Sequence, residues 1–135
     1  MAIFLSNDVQ VTLNAVDLSD HVTSATINRV FDELEVTAMG DTSHVFVKGL
    51  EASTITLDFL NDTATTNVLQ TLQAAWGTTV ALTLKQTSAA TSATNPLYST
   101  TVLINNTTDI NGAVGDISTQ SLSLTCNSPI VITTS

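Results

Sequence analysis

Chemistry in this chain would have to come from two histidines, one cysteine, twelve acids and three bases. His21 and His44 stand far apart, without the close His, Cys or carboxylate spacing that metal sites use; both read as solvent-exposed turn and hairpin residues. The run DELE holds Asp32, Glu33 and Glu35. Paired carboxylates can cleave glycosides and three acids can hold calcium. This run lacks the loop glycine and the terminal Glu of a calcium-binding loop, and it reads as a solvated strand edge, where charge discourages unwanted pairing. Cys126 lies in SLSLTCN, in phase with Leu122 and Leu124, as a small buried hydrophobe would. A nucleophilic thiol would want a nearby base, and a lone cysteine excludes an intrachain disulfide. NGAVGD contains no Lys and precedes a strand, so it is not a phosphate loop, and no serine sits in a nucleophile elbow. The expectation is a protein that is not an enzyme, with no cofactor and no metal.

The composition suits another kind of work. The 135 residues are enough for one domain, 1–135, with its own core. Charged residues make up 11% of the chain, far below the usual quarter or so, and the polar surface is built from Thr, Ser, Asn and Gln. Thr and Val suit pleated, half-buried surfaces. A net charge of −9 argues against a groove that grips phosphates and against an anionic membrane surface. It is compatible with a surface that nucleic acid passes without sticking. No run approaches the roughly 20 apolar residues of a bilayer span. The first ten residues carry no basic segment ahead of their apolar run, so no secretory leader is expected, and the sequons at Asn61 and Asn106 read as accidental.

The elements follow from periodicity. Val9, Val11 and Leu13 alternate as a strand face, DLSD reads as a turn, and TSATINRVF is a second strand. FDELEVTAMGDTSHVFVKGL predicts a long hairpin over about 31–50 with Gly40-Asp41 at its tip, broken by Gly49-Leu50-Glu51. STITLDFL is a strand with Ile55, Leu57 and Phe59 on one face and Thr54, Thr56 and Asp58 on the other. NDTATTNVLQTLQAAWG predicts one amphipathic helix over about 62–76, capped by Asp62 and ended by Gly77. Its apolar stripe is Ala64, Val68, Leu72, Ala75 and Trp76, with Leu69 beside it, and Thr66, Gln70 and Gln73 form its polar face. TTVALTLKQT, LYSTTVLIN and STQSLSLTC are further strands. SAATSATNP reads as a flexible surface loop. Residues 127–135 read as a last short strand or a C-terminal arm. The fold class is mainly β: a sandwich or barrel with one helix packed on it.

The order hairpin, KGL, STITLDF, ND, helix, WGTTVALTL resembles the tail tube (major tail) proteins of long-tailed bacteriophages. FDELEVTAMGDT, VKGLE and LQTLQAAWGTTV are similar to the version found in phages of actinobacteria. The resemblance covers residues 7 to 128. It implies a structural virion protein of the phage tail, assembled in the host cytoplasm, that self-assembles into rings of six. The rings stack into a tube through which DNA is ejected. The implied partners are further copies of itself, the tape measure, tail terminator and baseplate proteins, and passing DNA that is not specifically bound; no membrane is implied.

On that resemblance the hairpin and terminal arms join one ring to the next. Inter-subunit contacts are expected at Asp32, Glu33, Glu35, Met39, Asp41, His44, Val45, Phe46, Val47 and Lys48. The apolar VFV would bury against a neighbour, and Asp41, His44 and Lys48 would set register at its rim. Thr54, Thr56 and Asp58 are expected to line the lumen. Six subunits would carry about −54 per ring, from six times −9, a field that repels phosphate where it faces inward. A capsid decoration or cement protein is the alternative: it too is small, β-rich and free of catalytic motifs, but it usually lacks the long hairpin. A Thr-rich adhesin domain would predict a secretion signal or flanking repeats.

Overall fold

Short Thr- and Val-rich alternating runs become ten strands, seen in a computed structural model that describes residues 8–64 and 68–134. In chain order they are β1 (Gln10–Leu13), β2 (Val16–Asp17), β3 (Val22–Asn28), β4 (Phe31–Glu35), β5 (Phe46–Glu51) and β6 (Thr54–Leu60). Helix α1 (Val68–Ala75) follows, and then β7 (Thr79–Lys85), β8 (Leu97–Leu103), β9 (Thr119–Thr125) and β10 (Val131–Thr133). Five strands form one sheet in the order β10-β8-β7-β1-β2, three form a second as β3-β6-β9, and β4 and β5 form a separate two-stranded pair among the described residues. The result is the expected mainly β sandwich with one helix.

The core lies between the two larger sheets. Successive side chains on a strand point to opposite faces, so Val11 and Leu13, Val80, Leu82 and Leu84, and Val102 meet Ile55, Leu57 and Phe59, and Leu122 and Leu124. Each such burial contributes about 1.5–3 kcal/mol. One side of the sandwich is stitched shut near the end of β9. There the Cys126 amide donates to the Ser53 carbonyl (3.1 Å) and the Asn127 amide to the Thr101 carbonyl (2.7 Å). Cys126 is partly buried against the core, just past β9. Burial pushes its thiol up, with a hydrogen bond from Thr100 opposing.

Helix α1 covers the core with Val68, Thr71, Leu72 and Ala75, the i, i+3, i+4, i+7 set that shares one helical face. Two members of the expected stripe do not belong to it. Ala64 is exposed ahead of the helix. Trp76 is 57% exposed, because the helix ends at Ala75 and Gly77, at a positive φ of 74°, turns the chain toward the Ile104 carbonyl. Asp62, expected as the cap, lies ahead of the described helix, with its Oδ1 accepting from the Ala64 amide at 2.9 Å. The first turn expected here, with Thr66 of the polar face, lies in 65–67, outside the described residues.

Other boundaries moved by small amounts. Asp17 pairs within β2, and its Oδ1 accepts from the Ser19 amide, so the turn expected at DLSD starts later, as a short 3-10 turn over Ser19–His21. The segment between β7 and β8, expected as a flexible surface loop, is organised around a buried residue. Asn95 is buried, and its Nδ2 donates to the carbonyls of Thr87, Ala89 and Ala90. The chain end supplies β10, an edge strand on β8 that places Ile132 opposite Tyr98.

Candidate functional site

The β4–β5 hairpin is anchored by a compact hydrogen-bond knot at its root. Ser53 is almost fully buried, and its Oγ accepts from the Val30 amide (3.2 Å) while donating to Glu51 Oε2 (2.9 Å). The same Glu51 oxygen accepts from the Ile130 amide at 2.9 Å. The Ile130 amide, then the Ser53 hydroxyl, hold the Glu51 carboxyl below its ordinary value of 4.5. Gly49-Leu50-Glu51 therefore does not break the hairpin: β5 runs through it, and Glu51 pairs with Phe31. A register shift lies between Phe31 and Glu33, and Gly49 packs there so closely that a Cβ would meet the Asp32 carbonyl oxygen at 2.8 Å.

Beyond the root, pairing of Leu34 with Val47 and of Glu35 with Phe46 sets two faces. One carries Leu34 and Val47, continued by Val36 and Val45, whose backbones bond at 2.8 Å. The other carries Glu33, Glu35, Phe46 and Lys48. Phe31 lies on this second face too, with the Lys48 ammonium 5.6 Å from its ring centre, and His44 lies against Phe46 and bonds Glu35. The run Val45-Phe46-Val47 is thus split between two faces rather than offered as one patch. The tip sits one residue earlier than expected. Asp41 closes the turn by donating its amide to the Ala38 carbonyl (3.1 Å), leaving Met39 and Gly40 at the centre. The φ of 95° at Gly40 is what the third position of a type II turn demands. Asp41 Oδ2 accepts from the Ala38 amide at 2.8 Å, so its carboxylate braces the turn.

Every large apolar side chain of this hairpin is exposed by 40% or more: Val30, Phe31, Leu34, Val36, Met39, Val45, Phe46, Val47 and Leu50. Among the described residues no third strand pairs with either edge. A hairpin with two open edges and apolar residues on both faces is unstable alone in water and marks a contact surface.

The second expected surface is also continuous. Thr54, Thr56 and Asp58 lie on the face of β6 opposite Ile55, Leu57 and Phe59. Register places Asn28, Thr26 and Ser24 beside them on β3, and Thr125, Ser123 and Ser121 beside them on β9. The nine residues are short and polar, with Asp58 the single charge and no base. A third surface was not foreseen. The loop between β8 and β9 exposes Ile110, Val114 and Ile117 by 74% or more. Its signal was branched apolar residues set singly in a run of Asn, Asp and Gly.

His21 is not the exposed turn residue the sequence suggested. Its side chain is 18% exposed, with Nε2 2.8 Å from Asp62 Oδ2 and Nδ1 3.1 Å from Asp20 Oδ1. Asp62 raises its pKa above 6.5, and Asp20 adds to this against the opposing pull of burial. The group ties the turn before β3 to the segment that follows β6. Among the described residues no three His, Cys, Asp or Glu side chains cluster as a metal site, and no helix there is long and apolar enough to cross a membrane.

No family model and no curated protein matches the sequence, but solved structures match the fold along its whole length. A chain from "Virion of native gene transfer agent (GTA) particle" superposes with a TM-score of 0.78 at 11% identity, covering 97% of this chain and 99% of its own. A chain from an extracellular contractile injection system, "PVC sheath/tube terminator in extended state", gives 0.67 at 12% identity, with 98% and 97% covered. A chain from "anti-feeding prophage (AFP) baseplate, 6-fold symmetrised" gives 0.56 at 8% identity, with 99% and 98% covered. The chain therefore has the fold of subunits found in a gene transfer agent virion, an extracellular contractile injection system and an anti-feeding prophage baseplate.

Proposed function

We propose that this chain is a structural tail protein of a phage-like particle, a tail tube subunit that closes into rings of six and stacks into a DNA-conducting tube. The observation that carries the reading is the β4–β5 hairpin: anchored at its root, apolar on both faces and, among the described residues, paired with no third strand. Burial of such a surface is a strong drive for association. The fold likeness supports the same class of assembly, and one neighbour comes from a baseplate described as 6-fold symmetrised.

In this reading the polar face of β3, β6 and β9 lines the lumen. Its short hydroxyl and amide groups keep it wet, and the absence of Lys and Arg leaves DNA phosphates nothing to bind. Asp32, Glu33, Glu35, Met39, Asp41, His44, Val45, Phe46, Val47 and Lys48 meet the next subunit. Tape measure, terminator and baseplate proteins are the further partners, and the setting is the virion, after assembly in the host cytoplasm. A terminator is the second reading, favoured by the match to a chain from a sheath/tube terminator structure; it predicts single rings where a tube protein forms stacks. Negative-stain microscopy and sedimentation over a range of protein and salt concentrations distinguish them. The tube reading expects hollow stacked rings, favoured by salt because the subunits are acidic. Monomers under every condition overturn it.

A further inference from the structure

Two of the three bases of this acidic chain share one cleft. Arg29 and Lys85 line a space of about 400 Å³ between the free edge of β3 and the β7–β8 end of the facing sheet. Its other walls include Ala25, Ile27, Leu84 and Tyr98. β3 pairs with β6 alone among the described residues, so the cleft opens at an unclosed side of the sandwich. No described carboxylate forms an ion pair with either base. In a chain with four acids for every base, from 12 against 3, two cations at an apolar floor, Arg29 in the field of Glu51 and Lys85 with its ammonium donating to the Ala89 carbonyl at 3.0 Å, form an acceptor for an acidic, apolar segment.

The same fold supplies such a segment on its opposite side. The loop after β8 runs alongside β9: Asn106 Nδ2 donates to the Ser123 carbonyl (3.1 Å), the Thr108 amide to Gln120 Oε1 (2.7 Å) and Asn111 Nδ2 to the Thr119 carbonyl (3.2 Å). It exposes Asp109-Ile110, Val114 and Asp116-Ile117. β3 and β9 are the two outer strands of one three-stranded sheet, so this loop cannot reach the cleft of its own subunit. It reaches that of a neighbour when copies stand side by side with β9 of one beside β3 of the next.

We infer that the β8–β9 loop of one copy docks in the Arg29–Lys85 cleft of the next, with Ile110, Val114 and Ile117 toward its apolar walls and Asp109 and Asp116 toward its two bases. The contact is head-to-tail, and repetition of it generates a closed ring or a helix. This inference rests on the ring-forming reading and names the lateral contact within it, separate from the hairpin.

The test uses two full-length chains of different mass, each with Cys126→Ala. One carries Gln86→Cys at the cleft and the other Val114→Cys on the loop. After mixing and mild oxidation, the mixed 86–114 disulfide is expected at least tenfold above either homodimer. A second arm reverses charge. Arg29→Glu with Lys85→Glu, or Asp109→Lys with Asp116→Lys, each raises the concentration needed for assembly by about tenfold or more. Mixing the two reversed chains restores assembly, because loops and clefts alternate. Normal assembly with no mixed disulfide and no effect of charge reversal overturns the docking and leaves the ring reading standing. Absence of both assembly and cross-link overturns both.

Discussion

His21 Nε2 lies 2.8 Å from Oδ2 of Asp62, forty-one residues away, and this pair ties the turn before β3 to the entry of α1. The carboxylate raises the imidazole pKa above its unfolded value of 6.5, so the folded state binds the proton more tightly than the unfolded state. The stabilisation is complete below about pH 6.5 and is lost as pH rises through the folded value. Thermal unfolding of the monomer at pH 6 to 9 should therefore show a falling Tm, and His21→Gln should flatten that slope. An unchanged slope would remove the pair from the stability account. On the acid side, the lowered carboxyls of Glu51 and Asp17 contribute above their ordinary values of 4.5 and 3.8 and are lost as pH falls through the folded ones.

Leu34→Ser with Val47→Ser should leave the monomer within about 0.5 kcal/mol of wild type, since both side chains are already in contact with water. The same pair should raise the assembly concentration by about tenfold or more, read by sedimentation. Removal of Asp32 to Lys48 should abolish stacking while the helix and sandwich core stay folded, read by circular dichroism and microscopy. Long tubes from either variant would show that the hairpin makes no essential contact.

Gly49→Ala tests the register shift at the hairpin root. The new methyl would meet the Asp32 carbonyl oxygen at 2.8 Å, a backbone atom that cannot swing away. Overpacking of this kind costs roughly 1–3 kcal/mol. The expected result is faster amide exchange over β4 and β5 with little change in the core strands, because the hairpin pairs with neither larger sheet.

The two faces of β6 should respond in opposite ways. Phe59→Ala removes a fully buried ring and should cost about 3–5 kcal/mol by denaturant unfolding. Thr56→Lys is on the exposed face and should fold and assemble. In the proposed tube this adds one cation per subunit on the lumen face, and such tubes should bind duplex DNA at low salt and release it at high salt. Equal DNA retention by wild-type tubes would place this face outside the lumen.

Ala15 sits at a φ of 66° beside Asn14 at 51°, in the two-residue turn between β1 and β2. Both central residues of such a turn take positive φ, which costs a residue with a Cβ roughly 1–2 kcal/mol. Ala15→Gly should raise the melting temperature, and a fall would mean that the turn is held by contacts to the methyl.

The strands and the helix type were legible in the chain because each is a local property. Alternation in TITLDFL and VALTLK states which side chains face inward, whatever lies opposite. Phe46 parts from Val45 and Val47 for the same reason. What covers a face is not local. Trp76 fits the helical stripe by spacing, yet it is exposed because α1 stops at Ala75 and Gly77 redirects the chain. His21 reads as a surface residue until β6 brings Asp62 to it. Arg29 and Lys85 are ordinary bases fifty-six positions apart in the chain, and only the facing of two sheets makes them one cleft. Periodicity sets the direction of a side chain over a few residues. Its partner, or its want of one, is decided by which distant strand the hydrogen-bond register brings alongside.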